Sequence, residues 1–314
     1  MKFGFIFILF ISAFLFIGGP DSHDLNVYRE FWQMGHFVLF AMIILFLMRI
    51  DLIKSKHWLL TFFGTGFLCF AVGLSIEVVQ RYVGRTFSFD DVFNDMLGGY
   101  AGFFSAHLIA TFSGSVDTKS TPKFKRLSYV TAIFILSIIS GHTFIKSAIN
   151  QLYVVADFPI LSNLEKIFEE KRWKNYRVRT KISAQFARHG DKGMKVTFLL
   201  ANYPSLHLLD FNSDWTEYKE LHLSIFNTES TIVEVVLNIY DHQHHHTGYR
   251  FFDRYHNTLK LEPGWNDLAF PLEEIKNAPK TRQMDMDDIF SFSLFMIEPE
   301  RPTTIYLDDI YLSR

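Results

Sequence analysis

The chain has 314 residues and a single cysteine, Cys69, set inside an apolar run. No intrachain disulfide can form, and a lone thiol says nothing about the redox compartment. Charge of one sign is also missing. The formal net charge is −2, from 31 Lys and Arg against 33 Asp and Glu, which excludes the basic footprint of a nucleic-acid-binding protein. The motifs that announce common soluble enzymes are absent too: no G-x-S-x-G, no H-E-x-x-H and no phosphate-cradling glycine loop. What the chain has instead is phenylalanine, 35 residues of it, within a composition that is 49% hydrophobic. That average conceals two halves. Long apolar runs are confined to residues 1–148, and the remainder alternates polar and apolar residues like a soluble domain.

Residues 3–19 follow Lys2 and read either as a signal-peptide core or as a first spanning helix. With no small-x-small cleavage site and further apolar segments to come, a retained helix is the expectation. Apolar segments at 35–48, 58–76, 92–112 and 127–145 bring the predicted spans to five. Lys2, Arg49, Lys54, Lys56, Lys119, Lys123, Lys125 and Arg126 fall on one side of such a bundle, and Arg29, Arg81 and Arg85 on the other. The excess of basic residues places the first set in the cytoplasm and everything after about residue 147 outside. The expected fold class is an α-helical polytopic membrane domain followed by an all-β jelly-roll sandwich. Its expected divisions are 1–147 for the membrane domain, 148–170 for a connector with a short amphipathic helix over 161–173, and 171–314 for the sandwich.

Residues 77–102 are polar where polarity is costly. Ionisable groups at membrane depth cost roughly 2.5–3.5 kcal/mol each on insertion scales, so a cluster of them points to function. Glu77 and Gln80 are three apart, and Asp91, Asn94 and Gly98 follow at three and four, so each set shares a helical face. Gly98 and Gly102 form a G-x-x-x-G step that lets backbones approach closely. The spacing predicts one connected polar site of His36, Glu77, Gln80, Arg85, Asp91 and Asn94. The alternative is a plain helical hairpin whose charged loop is solvated.

At these residues the chain resembles the VanZ-like family of small polytopic bacterial membrane proteins. The resemblance is carried by Gly35-His36-Phe37, Glu77-x-x-Gln80, Arg85, Ser88-x-x-Asp91-x-x-Asn94 and the Gly98 and Gly102 pair, over about residues 1–112. It departs from the family before the histidine, where Glu30 and Gln33 stand in place of an Asp-Lys pair. The resemblance implies a link to lowered susceptibility to glycopeptide antibiotics of the teicoplanin kind, with no established chemistry.

From Tyr176 onward the period changes to two. Tyr176, Val178, Thr180 and Ile182 alternate with Arg177, Arg179 and Lys181, and the pattern recurs at 195–198, 221–225, 233–239 and 290–294. Short strands between polar turns indicate a β-sandwich. Asp214-Trp215-x-x-Tyr218, Ile239-Tyr240-Asp241-His242, Pro263-Gly264-Trp265-Asn266 and Ile305-Tyr306-Leu307-Asp308 resemble the galactose-binding-like jelly rolls of carbohydrate-binding modules. Trp215, Tyr249, Arg254 and Trp265 are the ligand-binding candidates, with core or corner roles as the competing reading for both tryptophans. The resemblance also implies a structural calcium, for which Glu165 and Asp308 are the candidate oxygen ligands. His242, His244, His245 and His246, with Asp241, Asp253 and His256, invite a metal reading against that of a solvated loop.

Two function classes follow. One is a non-enzymatic envelope protein of the bacterial cytoplasmic membrane whose external sandwich binds a glycan or envelope partner. The other is a membrane-embedded enzyme acting from the outer leaflet on a lipid-linked glycan or phosphate. The expected partners are membrane lipid and a lipid-linked glycan or surface polysaccharide, with no nucleic acid.

Overall fold

The computed structural model describes residues 25–49, 57–82, 87–112 and 123–314. It divides into two compact units, residues 1–148 and 149–314. The predicted span at 3–19 lies outside the described residues.

The first unit is helical. Helix α1 runs Asn26–Leu47, α2 Trp58–Tyr82, α3 Phe89–Ala110 and α4 Lys123–Asp157. Three of these, α1, α2 and α4, are long and apolar enough to cross a membrane. Helix α3 falls short in composition because Asp90, Asp91 and Asp95 crowd its first turns. Those acids suit a helix start. Ser88 caps it by accepting the Asp91 N–H at 3.2 Å, and carboxylates in the first turn complement the positive end of the helix dipole. At about 1.5 Å per residue, α4 is about 52 Å long, well beyond the roughly 30 Å of a bilayer core.

Glycines set the packing of α3. A Cβ at Gly98 would run into the Phe37 carbonyl, and one at Gly102 into the Ala41 carbonyl, so α1 lies backbone to backbone on α3. The G-x-x-x-G step does what its spacing predicts. On the α2 side, the bare faces of Gly66 and Gly73 admit the Tyr100 hydroxyl and the Asp95 carboxylate, while Gly99 admits the Cys69 thiol.

The second unit is an antiparallel sandwich. Its strands are β1 Ile160–Ser162, β2 Trp173–Tyr176, β3 Val178–Ser183, β4 Gly193–Phe198, β5 Ser205–Leu208, β6 Glu220–Asn227, β7 Val233–Asp241, β8 Tyr255–Leu261, β9 Gly264–Pro271, β10 Ile289–Phe295 and β11 Thr303–Ser313. One sheet has the order β3-β4-β11-β6-β9, with β1 alongside the far end of β11; the other has the order β2-β5-β10-β7-β8. Leu223, Ile225, Leu237, Phe292 and Leu307 meet between them in the core. Alternate residues of strands such as β4, β6 and β7 supply that core, as the alternation predicts.

Two expectations change. The run 176–182 is not one strand. Arg177 takes the left-handed region at φ 54°, which ends β2 in one sheet and lets β3 begin in the other. The amphipathic helix expected over 161–173 does not form. Leu164 and Phe168 both have positive φ, and only a 3₁₀ turn, Glu169–Arg172, remains helical. The buried Glu169 carboxylate organises this stretch by accepting from the Ser162 hydroxyl at 2.7 Å and from the Asn163 and Lys166 N–H groups. Arg172 donates to the Leu161 carbonyl at 2.6 Å. Within the predicted connector, residues 148–157 continue α4 and β1 pairs with β11.

Candidate functional site

Three helices carry the candidate polar residues of the first unit. His36 comes from α1, Glu77 and Gln80 from α2, and Asp91, Asn94 and Asp95 from α3. All six are buried, Glu77 and Asp95 completely. The His36 Nδ1 lies 3.0 Å from Asp95 Oδ1, and its Nε2 lies 3.9 Å from Asp91 Oδ2. Glu77 Oε2 accepts the Ser88 N–H at 2.7 Å, and the Ser140 hydroxyl of α4 donates to Asn94 Oδ1 at 3.0 Å. Arg85 lies outside the described residues. Single atoms of His36, Glu77 and Asp91 all fall within 4.8 Å of one another, the spacing of a group able to hold a metal ion.

Asp95 lies in the same polar stretch, four residues from Asp91 and so on the same face, and is not among the residues that the spacing singles out. The structure makes it the partner of His36. A carboxylate on Nδ1 fixes the ring's orientation and tautomer and leaves Nε2 directed at Asp91. Gly73 makes room for this carboxylate. Such a dyad can move a proton or hold an electrophile, and its burial strengthens every charge interaction in it.

In the second unit, one transverse row of side chains crosses the outer face of a sheet. Lys195 on β4 pairs with Tyr306 on β11, Tyr306 with Phe226 on β6, and Phe226 with Trp265 on β9. These residues point away from the core because their strand neighbours Val196, Ile305, Leu307 and Ile225 point into it. Phe186, from the β3–β4 loop, stacks on Phe226 with ring centroids 4.0 Å apart. The Tyr306 hydroxyl donates to Gln185 Oε1 at 2.7 Å. An open groove beside the row is lined by Gln185, Lys195, Asn227, Glu229 and Thr304. Beyond Trp265, Arg188 holds Asp267 through two bonds of 2.9 and 2.6 Å and lies over the indole ring at 5.7 Å. Hydrogen bonds and the charge of Arg188 hold the Asp267 carboxyl below the usual carboxylate range, against a smaller upward effect of burial.

These geometries meet a family finding at the membrane unit. Residues 3–110 match the VanZ/LLP1 family model. The N-terminal domain is VanZ-like, and its polar cluster lies within the matched residues. No curated protein gives a match to the chain. Among solved structures, the C-terminal part resembles carbohydrate-binding-module jelly rolls. The family 11 module from Clostridium thermocellum, in complex with a β-1,3-1,4-mixed-linked tetrasaccharide, is 16% identical, covering 49% of this chain and 94% of its own, at a TM-score of 0.38. An exo-β-agarase is 14% identical over 49% of this chain and 24% of its own, at 0.40. The family 30 module of a Clostridium thermocellum cellulosomal cellulase is 13% identical over 45% and 91%, at 0.36.

Beside the VanZ-like domain, the candidates in the sandwich separate. Trp215 is a correction: it is fully buried in the core, with its indole N–H donating to the Asn212 carbonyl at 2.9 Å, so no ligand can stack on it. Tyr249 is exposed and Arg254 half-buried against Phe251, both in the segment between β7 and β8. Trp265 alone of the four lies on the aromatic row. Glu165 and Asp308 both grip one loop: Glu165 Oε1 accepts the Asp191 and Lys192 N–H groups at 2.7 Å each, and Asp308 Oδ2 accepts those of Arg188 and His189. Their acceptor sites are thus turned toward N–H donors.

The histidine-rich segment divides as well. His244 is buried, with Nδ1 2.9 Å from the Asp253 carbonyl, while His246 is exposed and His242 pairs with Asp288. The acids expected near these imidazoles belong to Arg282. Its guanidinium donates to both oxygens of Asp241 and of Asp253. Burial pushes the Asp253 carboxyl up, but hydrogen bonds from Arg282, Thr247 and His244 and the Arg282 charge outweigh it and bring it to about 2. Arg282 lies in a loop with no periodicity, which is why sequence reasoning passed over it.

Proposed function

We propose that this is a cell-envelope membrane protein of bacteria whose VanZ-like domain anchors an extracytoplasmic sandwich, and that the sandwich binds a glycan without transforming it. The observation that carries this reading is an outward sheet face on which the half-buried Lys195, Phe226 and Trp265 flank the buried Tyr306. Flat rings beside polar groups suit sugars, which present apolar C–H faces and a rim of hydroxyls. The placement outside follows from the basic-residue count, and a C-terminal tag accessible in spheroplasts, with a tag near Lys119 protected, would support it.

The test is binding of a panel of neutral polysaccharides and isolated cell-wall glycan to the purified chain. Trp265→Ala and Phe226→Ala are expected to weaken retention at least tenfold, while Tyr249→Ala on the distant loop leaves it unchanged. Binding unaffected by either row substitution refutes the assignment. A calcium ion held by Glu165 and Asp308 is a separate part of this proposal. Calcium added to the EDTA-treated protein would raise the Tm of the sandwich, and an unchanged Tm would remove it.

A second reading has its own support. His36 oriented by Asp95, beside Glu77 and Asp91 at membrane depth, is the equipment of a general acid or base. Under this reading the VanZ-like domain acts on a lipid-linked glycan or phosphate reached from the outer leaflet. Turnover of such a lipid by the intact protein, abolished by His36→Ala, would favour it over the anchor.

A further inference from the structure

The polar cluster of the VanZ-like domain leaves two atoms over. Glu77 Oε2 is held by the Ser88 N–H, yet Oε1 is buried with no hydrogen-bond partner among the described residues. His36 Nδ1 is held by Asp95, yet Nε2 is equally buried and equally lacks one. Both leftovers belong to the residues that, with Asp91, converge within 4.8 Å. Buried polar atoms are nearly always satisfied, and two orphans on residues that converge call for a group that both residues can bind. A carboxylate pair at that spacing also repels itself, more so in a medium of low dielectric than in water.

We infer that His36 Nε2, Glu77 and Asp91 form a binding site for one divalent first-row transition ion of the zinc, manganese or iron(II) class. One imidazole with two carboxylates suits that class: an all-oxygen set would favour calcium or magnesium, and thiolates would favour softer ions. Three protein ligands leave at least one coordination position for water or a substrate oxygen. Asp95 supplies the support that such a site needs, since ligating histidines commonly donate their second ring N–H to a carboxylate, which orients the ring and raises its basicity. Gly73 admits that carboxylate, because any side chain there would strike it. A dication also places positive charge beside the buried Glu77 carboxylate within the bilayer. Asp95 is a positioning residue in this arrangement and the other three are ligands. The inference does not depend on glycan binding by the sandwich.

The experiment uses the full chain in detergent, purified without a histidine tag and carrying His242→Asn and His246→Asn, so that these two exposed imidazoles of the histidine-rich segment do not contribute. The protein is stripped with chelator, offered zinc, manganese or iron(II) singly, and analysed for bound metal by mass spectrometry and for Tm. About one retained ion per chain is expected for at least one of the metals, with a Tm rise reversed by chelator. Glu77→Gln and His36→Ala should each abolish retention. Asp95→Asn should weaken affinity roughly 10–100-fold while the metal-free Tm stays near that of the parent, and Asp90→Asn, at an exposed acid one residue from the site, should retain the ion. Should Glu77→Gln fail to fold, the parent protein still decides, because an absence of both retained metal and Tm response overturns the inference. Equal retention by parent, His36→Ala and Glu77→Gln overturns it as well.

Discussion

Arg282→Met should unfold the sandwich at markedly lower denaturant. The side chain is one-sixth exposed and its guanidinium is shared between Asp241, which is fully buried, and Asp253, nearly so. Removing the cation leaves two carboxylates buried without it, and breaking a buried pair in this way costs about 3–5 kcal/mol. A separate estimate comes from linkage. The Asp253 carboxyl titrates at about 2 in the folded state, nearly two units below an ordinary aspartate, which is roughly 2 kcal/mol of stability. Because the folded value is depressed, this contribution is fully present above the unfolded value of about 4 and is lost as pH falls through about 2. Wild type should therefore lose stability between pH 4 and 2, and the Met variant should show a shallower acid limb from a lower plateau. The assay is urea unfolding of residues 149–314, a unit with its own core that should unfold cooperatively when expressed alone. Combining Arg282→Met with Asp241→Asn and Asp253→Asn should recover part of the loss, since no buried charge is then left over. A cost under about 1 kcal/mol at pH 7, or an acid limb as steep as in wild type, would refute the reasoning.

The other predictions concern the VanZ-like domain. Gly98→Val places a side chain against the Phe37 backbone carbonyl, which cannot move aside as a flexible side chain would, and overpacking of this kind should cost about 1–3 kcal/mol in detergent; Gly35→Val, where a Cβ meets nothing, is the control measured in the same thermal-shift assay. A double-mutant cycle between Glu77 and Arg85 should show coupling above about 0.5 kcal/mol, with Arg85→Lys rescuing only in part because it lacks the planar fork; additive effects would mean that the two charges do not interact.

The polar site was legible because membrane depth raises the cost of each charge. His36, Glu77, Gln80, Asp91 and Asn94 stand out in the sequence for that reason; all five are buried, and His36, Glu77 and Asp91 converge. Asp95 was visible in the same stretch, but its pairing with His36 depends on how α1 rotates over α3, which the Gly98 and Gly102 contacts decide in three dimensions. The sandwich was legible as alternation. Its failures came where alternation is silent. The 161–173 segment has a helical pattern of apolar residues, yet Leu161 and Ser162 gain more by pairing with β11 and by bonding Glu169. The run from Tyr176 alternates without a break, and only the backbone turn at Arg177 divides it between two sheets. Trp215 and Trp265 sit in similar polar surroundings in the sequence. The first follows a loop that folds inward, and the second begins a strand whose register turns it outward, a difference that a shift of one residue would reverse.

Helix α3 explains why the two halves of the VanZ-like reading, bundle and site, depend on each other. It is the one of the four described helices that lacks a stretch apolar enough to cross a membrane, and it carries three aspartates in its first two turns, so it cannot face lipid with that side. Burial between α1 and α2 is the alternative, but carboxylates and an imidazole fill the space that bulkier apolar contacts would otherwise use. Glycines resolve the conflict. Gly98 and Gly102 bring α1 to van der Waals contact through bare backbone, and Gly73 on α2 leaves a recess into which Asp95 fits. A sequence selected only for a stable anchor would fill these positions with Leu and Ala and omit the acids, at no cost to the helices. The glycines and the acids make sense together, as close packing arranged around a polar site that the anchor role alone does not require.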